Sequence, residues 1–151
     1  MGKTVEDLMT GRPRAVRPDA AIEEAAQIME LEDVGSLPVV DEQGRLLGVL
    51  TDRDIAVRAV SKGRDPSTPV GDVASSEVIT VSPADDLDAA LDQMARHRVR
   101  RLPVVQGDVL VGVLSQADVA RDGNEKSVGE VVGLISQPNA GPRVEDARAG
   151  M

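Results

Sequence analysis

The chain carries one pattern twice. Val5, Asp7, Val16, Pro18, Ala25 and Met29 recur as Val70, Asp72, Val81, Pro83, Ala90 and Met94 at a constant offset of 65. At the same offset, Val34-x-x-Leu37-Pro38-Val39-Val40 recurs as Val99-x-x-Leu102-Pro103-Val104-Val105. One residue then drops out and the offset becomes 64, so that Gly48-Val49-Leu50-Thr51-x-x-Asp54 recurs as Gly112-Val113-Leu114-Ser115-x-x-Asp118. Identities fall at 16 of 46 aligned positions with one single-residue gap, a register too long for shared composition to produce. Repetition on this scale constrains a fold more than any local propensity, because each copy must be the same supersecondary unit. A chain of 151 residues has the size of one domain or two small halves. Each copy is about 55 residues, too small to cover both faces of a sheet alone, and packing two copies face to face removes that difficulty.

Each copy has one order of elements. A short extended piece (Ala15-Val16; Val78 to Val81) precedes a helix, where Ile22, Ala25, Ala26 and Met29 fall at i, i+3, i+4 and i+7, as do Leu87, Ala90, Leu91 and Met94. A strand follows at Leu37 to Val40 or Leu102 to Val105. A tight connection carrying Gly44, or Gly107-Asp108, then reads as a hairpin turn. A second strand runs to Leu50 or Leu114, and a second helix begins at Thr51 or Ser115. The expected class is α+β, with two β-α-β-β-α repeats at residues 4–62 and 69–122 joined by a turn-rich linker over 61–69. A further short helix is expected within 123–136, with Val128, Val131, Val132 and Ile135 on one side, and residues 137–151 are expected to be disordered. Pro38 and Pro103 cannot donate ladder bonds and read as strand edges with room for a ligand.

Two copies of h-P-V-V followed by G-V-L-[TS]-x-x-D, each after an amphipathic helix, resemble a tandem pair of CBS domains, the Bateman module. The likeness covers roughly residues 4–122 and leaves no catalytic domain over, as in stand-alone CBS pairs such as hypoxic-response proteins. The resemblance implies pseudo-two-fold packing of the repeats, clefts between them for an adenine nucleotide or related ligand, and a flat homodimer of pairs. It also implies regulation of a partner protein in response to that ligand.

The motif residues suit that chemistry. Thr51-Asp52-Arg53-Asp54 and Ser115-Gln116-Ala117-Asp118 each place a hydroxyl at a helix N-cap and an acid at N3, close to a capping box. Loss of such a cap typically costs about 0.5–2 kcal/mol. The same helix start presents free N–H groups and a positive dipole end to a phosphate. A carboxylate one turn in can accept hydrogen bonds from both hydroxyls of a ribose, each worth about 1.5–3 kcal/mol. The resemblance assigns ribose to Asp54 and Asp118, and the phosphate neighbourhood to Thr51 and Ser115.

Arg96-His97-Arg98-Val99-Arg100-Arg101 is a basic run in an acidic chain of formal charge −9. Arg96 and Arg98 read as cations at a helix C-terminus, and His97 as a helix-end side chain. Arg100 and Arg101 lie directly before a strand, where the resemblance implies phosphate contacts, and the first repeat has Gly35-Ser36 there. Arg53 faces Ala117 in the alignment and reads as an extra phosphate contact. The expected clefts are therefore unequal. One combines Asp118, Ser115, Val113 and Arg100 or Arg101 with Val34, Gly35 and Ser36. The other combines Asp54, Thr51, Val49 and Arg53 with Val99 and Arg100. A base would lie between aliphatic side chains with no aromatic ring to stack on, and a micromolar affinity is expected.

Composition removes other classes. Phe, Tyr, Trp and Cys are absent and His occurs once. A thiol nucleophile, a zinc ribbon, a multi-His metal site and base stacking on aromatic rings are thereby excluded. No Gly-Lys-Ser phosphate loop or Ser-His-Asp set is present, so no catalytic residue is named. The net charge opposes nucleic-acid binding, and no apolar run of about 18 residues suggests a membrane span. The sequence reads as a cytoplasmic, homodimeric, non-enzymatic sensor of AMP, ADP, ATP or a related adenosyl compound. That ligand is regulatory rather than a required cofactor, with an adenosyl small molecule and a regulated protein as partners. The alternative is a structural or interaction protein with empty clefts that acts through homodimerisation.

Overall fold

The computed structural model describes residues 2–122. The helix expected within 123–136 and the tail at 137–151 lie outside the described residues. In chain order the elements are α1 (Val5–Leu8), β1 (Thr10–Gly11), α2 (Ile22–Glu32), β2 (Ser36–Val40), β3 (Leu46–Thr51), α3 (Asp52–Asp54), α4 (Leu87–His97), β4 (Arg101–Gln106), β5 (Val109–Ser115) and α5 (Gln116–Asp122). They divide into two compact units. The first is residues 12–78 with 108–110, and the second comprises residues 2–11, 79–107 and 111–122.

The unit of the first repeat is built on the antiparallel β2–β3 pair, with Leu37, Val39 and Leu50 packed against Ile22, Ala25 and Met29 of α2. Ala26, expected on the same apolar face, is exposed, so the buried stripe of α2 is narrower than its sequence pattern. The stretch Ala15-Val16 forms no full strand. It makes a single parallel bridge, Val16 to Val39, in which Val16 N–H donates to the Pro38 carbonyl and Val40 N–H to the Val16 carbonyl. That geometry explains Pro38. The bridge takes only its carbonyl, and opposite it Val49 uses both backbone groups on Ser75, so no donor is missed. Pro38 and Pro103 are both buried, and neither opens the room expected of a strand edge. After α3 the chain continues as a π-helical turn over Ile55–Ala59 and a 3-10 turn over Val60–Lys62, where the sequence reading has one regular helix.

The unit of the second repeat repeats this plan. Leu87, Ala90, Leu91 and Met94 of α4 all face its core, with Leu102, Val104 and Leu114 from the strands. Val81 makes the matching single parallel bridge to Val104. The two hairpins turn through left-handed glycines, Gly44 at φ 82° and Gly107 at φ 69°, which a side chain would strain.

The segment that leads into each repeat folds with the other repeat's unit. Val70 and Val73 are fully buried in the first unit's core, and Val5 in the second's. Ser75 bridges Val49, and Thr10 at the equivalent position pairs with Val113. These segments also complete the helix starts. Ala21 and Asp86, the N-caps of α2 and α4, make no side-chain cap bond. The orphan N–H groups of Ile22 and Glu23 donate instead to the Thr68 and Pro66 carbonyls, and that of Leu87 donates to the Lys3 carbonyl. The turn-rich stretch read as a linker is thus a cap for α2. Residues 4–11 and 69–78, assigned in sequence to the repeats that follow them in the chain, sit in the opposite units.

This exchange depends on two glycines. A Cβ on Gly112 would lie 2.7 Å from Met9 Sδ and 2.9 Å from the Thr10 carbonyl oxygen, and one on Gly48 would run into the Ser75 carbonyl oxygen. Gly48→Ala is therefore expected to cost about 1–3 kcal/mol by overpacking. Thermal denaturation followed by circular dichroism should show a midpoint lower by roughly 2–12 °C. An unchanged midpoint would mean that the Ser75 segment moves aside without loss.

Candidate functional site

Both repeated acids stand one turn into a helix that leaves a strand. In the first unit, Thr51 ends β3, and its Oγ1 accepts from Asp54 N–H at 3.0 Å while its own N–H donates to Asp54 Oδ2 at 3.0 Å. In the second, Ser115 ends β5, Asp118 N–H donates to Ser115 Oγ at 3.1 Å, and Ser115 N–H donates to Asp118 Oδ2 at 3.3 Å. Both capping boxes read in the sequence are thus formed. They also aim each carboxylate back across the helix start, where N–H groups and dipole favour an anionic ligand group.

The remaining partners of the two acids differ. Thr10, brought in by β1, donates its hydroxyl to both Asp118 carboxylate oxygens at 3.2 Å. Asp118 is only 9% exposed, with Ser115 and Gln116 buried beside it. Ser75 occupies the place equivalent to Thr10 in the first unit, yet its hydroxyl accepts from Glu77 N–H. Asp54 is held by Arg58, whose Nε lies 3.9 Å from Oδ1 and whose Nη1 donates to the Val73 carbonyl at 3.1 Å. Thr10 and Arg58 escaped the sequence reading. For Thr10 the signal was present, because the repeat alignment puts a hydroxyl at both 10 and 75. For Arg58 it was not, since its aligned partner is Asp122.

The other expected site residues gather beside their own acid. In the first unit the Gly35 carbonyl accepts from Asp52 N–H at 2.9 Å, Ser36 pairs with Thr51, and Val49 is half-buried on β3. Val34 packs on that core's margin, and Arg53 is exposed on α3. A Cβ on Gly35 would sit 3.2 Å from Asp52 Oδ2, so this corner is crowded. In the second unit the Arg100 carbonyl accepts from Gln116 N–H at 3.0 Å, Arg101 opens β4 half-buried, Val113 is half-buried on β5, and Val99 borders the core. The second unit thus carries Arg100 and Arg101 at the chain positions where the first has Gly35 and Ser36. Arg96 pairs with Asp92 at 2.6 Å on the exposed side of α4, and Arg98 ends that helix in the left-handed region at φ 55°. His97 is exposed at the last position of α4. Among the described residues no three His, Asp or Glu side chains are grouped to hold a metal ion.

A family model for the CBS domain matches residues 5–60 and again residues 70–125. The chain belongs to the CBS-domain family. It carries two CBS repeats, and among its relatives is the CBS domain-containing protein YhcV of Bacillus subtilis, 43% identical over 137 residues, 90% of this chain and 97% of that one. Hypoxic response protein 1 of Mycobacterium tuberculosis is 35% identical over 138 residues, 91% of this chain and 96% of its own. The solved structure of CBSX2 in complex with AMP superposes with a TM-score of 0.71 at 30% identity, covering 80% of this chain and 96% of that one. The matched ranges follow chain order and start at Val5 and Val70, whereas in space residues 5–11 and 70–78 belong to the opposite units. No helix among the described residues is long and apolar enough to cross a membrane.

Proposed function

We propose that this CBS pair is a non-enzymatic regulatory module whose ligand is an adenosyl compound such as AMP, ADP or ATP, with Asp118 as the principal ribose acceptor and Asp54 as the second. The observation that carries the reading is the Asp118 carboxylate, nearly buried yet polar, oriented by Ser115 and Thr10 at a helix start. An ionised carboxylate accepts at two oxygens with several lone pairs, and a vicinal diol offers two donors to it. Ser115 and the helix start would face phosphate, and Arg100 and Arg101 would bind it through their planar forks. Val34, Val49, Val99 and Val113 would supply apolar contact to the base, with Gly35 and Ser36 at backbone level. Thr51 and Arg53 would serve the Asp54 site. The AMP complex of the similar CBSX2 supports the ligand class. The module would work in the cytoplasm as a homodimer and pass ligand occupancy to a regulated protein, for which ligand must favour one of two states.

Isothermal titration calorimetry with AMP, ADP, ATP, NAD and S-adenosylmethionine tests this. At least one is expected to bind with a micromolar Kd, and at 100 times Kd it should add about 2.7 kcal/mol of stability. If none gives heat or raises the melting temperature at millimolar concentration, the second reading stands: an interaction protein that works through homodimerisation.

A further inference from the structure

We propose that a cavity of the first-repeat unit is a binding site for a phosphate-sized oxyanion, held by Arg14 and Arg17. The cavity lies between residues 14–17 and the side of α2 that carries Glu24, Gln27, Ile28 and Leu31, and has a volume of about 240 Å³. Sites for drug-sized ligands usually run to roughly 300–1,000 Å³, so the space suits a small ion rather than a whole nucleotide. It contains none of Thr51, Asp54, Ser115 and Asp118, and the adenosyl reading does not use it.

The cations are the reason to expect an anion. The Nε atoms of Arg14 and Arg17 are both buried and have no hydrogen-bond partner among the described residues. Arg14 reaches Glu32 through Nη1 at 3.4 Å, with its side chain 16% exposed, which leaves its Nε–H unanswered. A lysine or histidine in this position could shed its proton, but a guanidinium cannot. Its charge therefore stays beside the cavity with one buried N–H unanswered, a desolvation cost that an anion brought against the guanidinium would offset. Two guanidinium groups lining one cavity match the several acceptor oxygens of a tetrahedral oxyanion.

The fold does not require these arginines. At the repeat offset of 65 their counterparts are Ile79 and Ser82. The second unit forms the same parallel bridge with Ile79 packed against its core. Glu24 lines the cavity too, and its carboxylate opposes an anion. Charge therefore sets the direction of two variants.

Thermal stability and titration calorimetry of the full chain with inorganic phosphate, against sodium chloride at equal ionic strength, test the site. Phosphate is expected to raise the melting temperature above the chloride control. Arg17→Gln, which leaves the Arg14–Glu32 pair in place, should weaken phosphate binding at least tenfold. Glu24→Gln should tighten it severalfold, and that arm decides the matter should Arg17→Gln fail to fold. Glycerol phosphate is a further arm: binding no weaker than inorganic phosphate marks an esterified source, and tenfold weaker binding marks the free ion. Equal stabilisation by phosphate and chloride overturns the proposal. So does phosphate binding that survives Arg17→Gln but is lost in Arg101→Gln, because the ion then belongs beside Asp118. Affinity for adenosyl ligands should stay within about twofold in Arg17→Gln, so the two readings fail separately.

Discussion

Deletion of residues 2–11 is expected to unfold the unit that contains α4, β4 and β5. The deleted stretch supplies fully buried Val5 and the partly buried Leu8 and Met9 of that core. It also supplies the β1 partner of β5, the Lys3 carbonyl that caps α4, and two bonds from Val5 and Glu6 N–H to the Asp85 and Pro83 carbonyls. Burial of a Val, Leu or Met side chain is worth about 1.5–3 kcal/mol each, so one full and two partial burials sum to about 3–6 kcal/mol. Domains are stable by only about 5–15 kcal/mol, so such a loss consumes much of the margin. Hydrogen exchange should show lost protection at Leu91 and Met94 of α4, while Ala25 and Met29 of α2 keep theirs, since residues 66–78 remain to complete the first unit. Retained protection in α4 would mean that residues 2–11 only decorate this unit.

Asp118→Ala is expected to weaken adenosyl binding about 10–100-fold, the value of one hydrogen bond to a charged acceptor. Asp54→Ala should have less effect on the same ligand, since Asp54 is already paired with Arg58 and is less buried than Asp118. Thr10→Val should weaken binding about tenfold by loosening the Asp118 carboxylate, and Thr10→Ser should restore it because the hydroxyl donor returns. Calorimetry on these four variants separates a site from a mere helix cap. The cap predicts lost stability with unchanged affinity, and that outcome in Asp118→Ala would remove Asp118 from the site.

Much of the local structure was legible. The helix period marked α2 and α4, and all four apolar positions of α4 are buried. Gly44 and Gly107 marked the hairpins, and the Thr/Ser-x-x-Asp spacing marked both capping boxes. Other features were misread because they depend on neighbours. Ala26 is exposed because the core covers a narrower stripe of α2, and Pro38 is tolerated beside the Val16 bridge because that bridge needs only its carbonyl. The Thr10–Asp118 bond spans 108 residues. No local pattern announces a contact of that range, although the paired hydroxyls at 10 and 75 were in view.

What the sequence alone determined is the double construction: two copies of one unit, each ending a strand on a hydroxyl with an acid three residues later. Side-chain type and spacing encode that directly, since periodicity and capping act within a turn or two. What only the tertiary structure decided is which copy each leading segment completes. The bonds concerned, such as Ile22 N–H to the Thr68 carbonyl and Leu87 N–H to the Lys3 carbonyl, join backbone to backbone, and every residue type carries those groups. The same holds for the two buried arginine Nε atoms. Their charge is written in the sequence, but their burial follows only from how α2 lies over residues 14–17.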